Sequence, residues 1–400
     1  GTCSDTALHI WRLNGSLVSV LPARGGVPWA GFSWSPDGSI IAISNFRGRI
    51  TVARVPDLSI IAEIEPANYT HWSFPYPDLK EQIVPRRIRW SPNGSRLAYG
   101  WWDGTADIFD VKTQRLVTSL DQTDFGTPSV GFLFSCEGDL DWSPDGARIL
   151  RTGVKKTVEK LPDGDFLVKT GGNEVLVFNV SSGRGLFRLG RGSEQAGSST
   201  CTPNPGVLNA FSPDGSMIAC WSGSLDLYDA TSGRVITSTK MDGYVKSLAW
   251  SSNGELIALG TLKGRIVVWR KSDRQLVSNI SGHDSSVISL SWEGSVLVSA
   301  SADWTVKLWY VHADGSISPI RTFTGWSSAP VGTISWYPDG ERIAITSGPV
   351  ETEIVSTFPG GGRAVTQKSR HSISVVTTDG SEQLRVEPAP EDGWAGLGYV

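Results

Sequence analysis

The side chains in this 400-residue sequence that could do acid–base, nucleophilic or metal chemistry are few and scattered. Five histidines (His9, His71, His283, His312, His371) and four cysteines (Cys3, Cys136, Cys201, Cys220) show none of the close spacings that bring metal ligands or a thiolate and an imidazole together. No G-x-S-x-G elbow, H-E-x-x-H helix, Walker A loop or dinucleotide fingerprint occurs. Asp37, Asp145, Asp214 and Asp339 each stand between a proline and a glycine. Their repetition marks them as turn-formers rather than as general acids or bases. The expectation is therefore no catalytic residue, no cofactor and no metal, with the cysteines as free thiols of a reducing compartment.

What recurs instead is a phrase. "FSWSPDGSIIAIS" (32–44) returns as "IRWSPNGSRLAYG" (88–100) and "LDWSPDGARILRT" (140–152). Apolar residues flank a four-residue break in which Pro36 pre-sets φ, Asp37 can bond its own backbone and Gly38 supplies a positive φ, so the phrase predicts a β-hairpin. Its anchor aromatics are Trp34, Trp90, Trp142, Phe211, Trp250, Trp292 and Trp336, the last four spaced by 39, 42 and 44 residues. That period is the length of a four-stranded propeller blade, and the longer earlier spacings contain insertions. Within a unit the strands run a, b, c and d, as in "VISLSW", "VLVSAS", "TVKLWYV" and "SPIRTF" between residues 287 and 323. Short runs between turns, with no long 3.6-residue period, make the chain all-β, and one blade cannot bury both faces without neighbours.

The stretch "SGHDSSVISLSWEGSVLVSASADWTVKLWYV" (281–311) resembles the WD40 repeat nearly end to end. The resemblance implies a β-propeller and, in this blade, a buried hydrogen-bond network of His283, Ser299 (or Ser301), Asp303 and Trp309. Other blades lack the Gly-His, which leaves their turns to the S-P-D-G chemistry; "FSPDG" also occurs in TolB-like propellers. The resemblance further implies a role as subunit or adaptor of a larger assembly.

The chain ends suggest how such a ring would close. "GTCSDTALHIWRLNGSLVSVL" reads as strands c and d without a or b, whereas "DGWAGLGYV" (392–400) echoes "VPWAGFSW" (27–34), a strand a. The expectation is one domain over 1–400 with eight four-stranded blades rather than seven, closed by pairing of N- and C-terminal strands. Lacking an initiating Met and opening inside a blade, the sequence is expected to be a processed or truncated chain.

Four insertions are expected on the face where d-to-a and b-to-c connections open: 66–85 and 190–206 as d-to-a loops, 154–172 and 348–370 as b-to-c loops. The opposite face holds minimal turns. Insertions gathered on one face point to a binding face. Aromatics collect there too, and exposed Trp and Tyr favour protein recognition, although about half are expected to be packing residues. The expected contacts are Trp101, Trp102 and Trp304 foremost, with Trp326, Phe46, Arg47, Trp72, Tyr244 and Lys263. Basic residues cluster in two insertions (Arg151, Lys155, Lys156 and Lys160; Arg363, Lys368 and Arg370), yet the net charge of −4 argues for ordinary solvated charge.

The resulting expectation is a non-catalytic intracellular scaffold binding a peptide or protein on that face. Two alternatives remain: a propeller taking nucleic acid or a small ligand at the channel mouth, and an accessory propeller of a larger enzyme. No apolar run approaches membrane-spanning length.

Overall fold

The computed structural model describes residues 2–3, 7–11, 17–22, 29–45, 48–65, 87–100, 106–120, 140–160, 166–189, 208–221, 223–240, 243–324, 331–336, 340–357 and 363–386. Every regular element among them is a β-strand. They form seven four-stranded antiparallel sheets, in each of which strands a, b, c and d lie in chain order. These blades begin with strands a at Trp29–Trp34, Arg87–Trp90, Leu140–Trp142, Leu208–Phe211, Val245–Trp250, Val287–Glu293 and Val331–Trp336. The chain divides into two compact units, with blades 1–4 in Ser19–Lys240 and blades 5–7 in Met241–Leu397.

Seven such blades correct the expected eight. The N-terminal strands Thr2–Cys3, Ala7–Trp11 and Leu17–Pro22 make a separate three-stranded sheet whose first strand is only two residues long. Residues 392–400, the expected closing strand, lie outside the described residues.

Burial explains why each blade needs a neighbour. Strand b of blade 5, Leu256–Thr261, is buried at every position, whereas the outer strand d, Gln275–Ser281, is half-buried or exposed throughout. Alternate residues of a central strand serve different cores. In blade 2, Leu97 and Tyr99 pack with Ala42, Val52 and Trp90, while Ala98 packs with Leu140, Ile149 and Phe178 of blade 3. Leu150, one residue beyond Ile149, packs in turn with Phe211 and Ile218 of blade 4. In the other unit, Ala258 and Val268 of blade 5 pack with Val287 and Leu297 of blade 6.

The recurrent phrase does two jobs. Its serine is buried and closes the hairpin: Ile40 N donates to Ser35 Oγ at 2.9 Å, Ser35 Oγ donates to Asp37 at 2.6 Å, and Gly38 N donates to Ser35 O at 2.8 Å. Gly38 has φ +69°, and the same arrangement recurs around Ser91, Ser143, Ser212 and Ser251. The Ser35 hydroxyl, with Ser39, holds the Asp37 carboxyl down at about 2. The aromatic before the turn ties blades together. Trp90 Nε1 donates to Ser33 O at 3.0 Å, Trp142 Nε1 to Arg89 O at 3.2 Å, and Trp336 Nε1 to Ser291 O at 3.4 Å. Each acceptor is in strand a of the preceding blade. Blade 4 has Phe211 at this place, and there the Phe211 backbone N–H donates to the Asp141 carboxylate at 3.2 Å.

Two insertions expected as loops are strands. Strands b and c of blade 3, Arg148–Lys160 and Phe166–Asn179, absorb most of 154–172, and those of blade 7, Arg342–Thr357 and Arg363–Thr377, absorb most of 348–370. Each pair continues past its blade as a two-stranded arm, with a register irregularity at the root: between Val154 and Lys156 in one, between Ser347 and Val350 in the other. Apart from Lys155, which falls in the irregularity, the charged residues that read as loop decoration occupy paired strands. The insertions 66–85 and 190–206 lie outside the described residues.

Candidate partner-binding surface

Blade 6 carries the most elaborate polar construction among the described residues. Its strands are Val287–Glu293, Val296–Ser301, Val306–Val311 and Ile317–Phe323. Trp309 Nε1 donates to Ser299 Oγ at 2.8 Å, and Ser299 Oγ lies 2.7 Å from His283 Nε2. His283 Nδ1 lies 2.9 Å from Asp303 Oδ2, which also accepts from Asp284 N at 3.0 Å. The tautomer that satisfies every group has Nδ1 protonated and Nε2 accepting the Ser299 proton. Burial pushes the His283 pKa below its usual value against the opposing pull of Asp303. Burial acts to raise the Asp303 pKa, but the Thr305 hydroxyl, Asp284 N–H and His283 prevail and hold it at about 2. Ser299 takes the network position, and Ser301 Oγ instead donates to Ser285 O at 3.1 Å. Thr305, which donates its hydroxyl to Asp303 at 2.7 Å, is a fifth member the sequence reading missed. Its place two residues after the aspartate was the available signal.

The network fixes the connection 282–285 and the b-to-c turn of blade 6, and the turn of blade 5 packs beside them. Gly282 N and His283 N both donate to Gly264 O, at 3.0 and 2.9 Å. Leu262 N donates to Tyr244 O at 2.8 Å, which brings the start of blade 5 into the same group. The contiguous segments thus run Tyr244, Leu262–Gly264, His283–Ser285, Asp303–Trp304. Along them Tyr244 is 66%, Leu262 46% and Trp304 49% exposed, with Lys263 and Asp284 exposed between. Leu262 and Asp284 were not anticipated, because exposure of a turn leucine leaves no mark in composition.

Trp304 is held in an unusual way. Its φ is +67°, and Trp304 N donates to Ser301 O at 3.1 Å. The equivalent residues of blades 1 and 5 are Gly48 (φ +85°) and Gly264 (φ +75°), which make the same turn bond to Asn45 O and Thr261 O. A left-handed backbone costs a residue with a Cβ about 1 kcal/mol. Blade 6 therefore carries a large exposed aromatic where its siblings carry none.

Of the other expected contacts, Tyr244 and Lys263 share this ridge, whereas Trp101, Trp102, Trp326, Phe46, Arg47 and Trp72 lie outside the described residues. Arg265, beside the same turn, is engaged by Asn279 Oδ1 at 2.7 Å. Among the described residues no group of His, Cys, Asp and Glu could hold a metal ion, and Cys220 is a buried free thiol. No helix among them is long and apolar enough to cross a membrane.

Blades of four antiparallel strands in this order define a β-propeller. The fold is shared with the computationally designed Ika8 protein (TM-score 0.59, 17% identity, 86% of this chain and 88% of that one). It is shared as well with a chain of the mitotic checkpoint complex (TM-score 0.54, 16% identity, 86% and 89%). Residues 248–325, the ground of blades 5 and 6, match the model of the anaphase-promoting complex subunit 4 WD40 domain. The chain has the β-propeller fold, and its residues 248–325 are similar to WD40 repeats. Curated relatives include the Set1 complex component swd1 of Schizosaccharomyces pombe, 32% identical over 26% of this chain and 25% of that protein. Periodic tryptophan protein 2 of Saccharomyces cerevisiae is 34% identical over 25% of this chain and 11% of its own length. Protein hir1 of Schizosaccharomyces pombe is 32% identical over 26% and 12%. The match thus spans a quarter or less of each of these relatives.

Proposed function

We propose that this protein is a non-catalytic interaction subunit of an intracellular assembly, binding a peptide or protein partner on the ridge formed by Tyr244, Leu262, Lys263 and Trp304. The observation that carries the reading is Trp304, half-exposed and held at positive φ where sibling turns use glycine. A fold that tolerates this backbone cost at a surface aromatic gains nothing from it in its own core, and exposed Trp and Tyr are the residues that dominate binding energy at protein interfaces. Charge alternates along the ridge, with Lys263 near Asp284, which favours a protein partner over the continuous cationic track that nucleic acid requires. Likeness to a component of a Set1 complex supports reading the chain as a complex subunit.

Trp304→Gly separates binding from folding. Returning glycine to the turn relieves the backbone and is expected to leave the thermal midpoint unchanged or raise it, by about 1 kcal/mol of stability. Quantitative affinity capture from cell extract should lose the same proteins with Trp304→Gly as with Tyr244→Ser. Equal recovery by wild type and both variants would overturn the reading.

A further inference from the structure

Blade 6 also departs from its siblings at the end of its sheet opposite the ridge. In the other six blades strand a ends on its aromatic residue, whereas in blade 6 it runs one residue further, to Glu293, and turns through Gly294 (φ +52°) and Ser295. Glu293 pairs with Val296, Val296 with Tyr310, and Tyr310 with Ser318, so the terminal row spans all four strands. In blade 5 the corresponding row, Leu256, Arg270 and Gln275, spans three. Where blade 6 has Tyr310, its siblings have Arg54, Asp110, Asn179, Asp229, Arg270 and Thr377. A position that is polar elsewhere thus carries an aromatic, and Tyr310 is 44% exposed.

Residues paired across strands share a face. Two rows inward on that face, Ser291, Val298, Leu308 and Arg321 are paired in turn, and Val298 and Leu308 pack with Ile343 and Ile345 of blade 7. The terminal row therefore faces blade 7, which approaches it with glycines. A Cβ on Gly340 would stand 3.6 Å from Glu293 Cγ, and one on Gly380 2.6 Å from Arg321 Nη1. Val296 and Trp336 supply an apolar floor. His312 steadies the Tyr310 ring, edge-on at 4.9 Å, with its own Nε2 2.8 Å from Ser318 Oγ. The unpaired charge at the row is negative. Glu293 is exposed and makes no ion pair among the described residues, whereas Arg321 acts on Asp379, whose carboxyl the Thr377 hydroxyl, Ser381 and Arg321 hold at about 2.

We propose that this row is a second docking site, which takes a basic segment of a partner protein by seating an arginine guanidinium on the Tyr310 ring with its charge met by Glu293. Two strand spacings set Glu293 and Tyr310 about 10 Å apart at the backbone, a gap that the glutamate side chain and a guanidinium close between them. A guanidinium stacks on an aromatic face and still offers its edge to a carboxylate, which an ammonium does less well. An acidic peptide or a nucleic acid would bring like charge to Glu293 and Asp379.

The probe is a fluorescent six-residue peptide alternating arginine and glycine, titrated into the full chain, with glutamate in place of arginine as the control. The arginine peptide should bind, and Tyr310→Ser and Glu293→Gln, both at exposed positions, should each weaken it about tenfold. Tyr310→Phe keeps the ring face and should keep the binding. Trp304→Gly should leave it unchanged, so that this site and the ridge stand or fall separately. Four results would overturn the proposal: undiminished binding by Tyr310→Ser, a loss in Tyr310→Phe as large as in Tyr310→Ser, equal binding of the glutamate peptide, or self-association of the free chain that Tyr310→Ser abolishes.

Discussion

Blades 5 and 6 are adjacent, nearly equal in length and alike in strand pattern, yet they stabilise their b-to-c turns by opposite means. Blade 6 uses a polar chain through Trp309, Ser299, His283 and Asp303. Blade 5 keeps the tryptophan, Trp269, but has Leu259 where blade 6 has Ser299 and Lys263 where it has Asp303. Trp269 is fully buried, and its Nε1 has no hydrogen-bond partner among the described residues. Its turn is held instead by backbone bonds to its neighbours and by Thr261, whose Oγ1 accepts from Arg265 N at 2.9 Å, and Gly264 fits against the carbonyl of His283 so closely that a Cβ would stand 2.0 Å from that oxygen. One blade spends polar chemistry on its turn and can carry an aromatic at the tip. The other relies on contact with its neighbour and must carry glycine.

The comparison can be broken most forcefully at His283. His283→Leu removes the acceptor of the buried Ser299 hydroxyl and one partner of the Asp303 carboxylate, and should cost about 3 kcal/mol in denaturant unfolding. Next comes Gly264→Ala, which meets both a left-handed backbone and a backbone oxygen with nowhere to move; a loss of about 2 kcal/mol is expected, read in the same way. Titration gives a smaller effect. With its folded pKa below the unfolded 6.5, His283 binds its proton more readily in the unfolded chain. Stability should therefore fall as pH drops through and below 6.5, and this slope should vanish in His283→Leu. Asp303, at about 2 against an ordinary 3.8, adds its loss only below pH 4, as pH falls toward its folded value. The smallest effect belongs to blade 5, where Trp269→Phe removes an unpaired N–H together with some packing and should change stability by less than about 1 kcal/mol. A cost near that of His283→Leu would show that the two blades are not the opposites described.

Much of this was readable beforehand, and the failures have physical causes. The proline, aspartate and glycine of the repeated turn announce backbone requirements that few other residues meet, so the hairpins at Gly38, Gly94 and Gly146 could be placed. The serine before the proline escaped notice because its work is a buried bond to the backbone five residues on, and a serine in a turn looks like any other. "VKKTVEK" and "VETEIVST" read as loops because they mix charge with β-branched residues, a pattern that does not mark a buried blade strand. The eighth blade was over-read from an echo between the termini: among the described residues the N-terminal segment forms a sheet of three strands, the first too short to serve as a full member. Trp304 stands out in the sequence as an aromatic at the tip of a short b-to-c turn, whereas its positive φ, the stronger mark of a special role, depends on a turn geometry that its own sequence disguises. Leu262 joins it only because one hydrogen bond to Tyr244 O sets two distant segments side by side.

Three indole bonds between blades point backward along the chain, from Trp90 to Ser33, from Trp142 to Arg89, and from Trp336 to Ser291. On a ribosome that delivers the amino end first, each newly emerged tryptophan finds its acceptor already in place. Assembly in the order of synthesis thus spares these three blades a wait for the bond the indole must make. A circular permutant begun at Arg87 would reverse that order for the first of these bonds, delivering Trp90 long before Ser33.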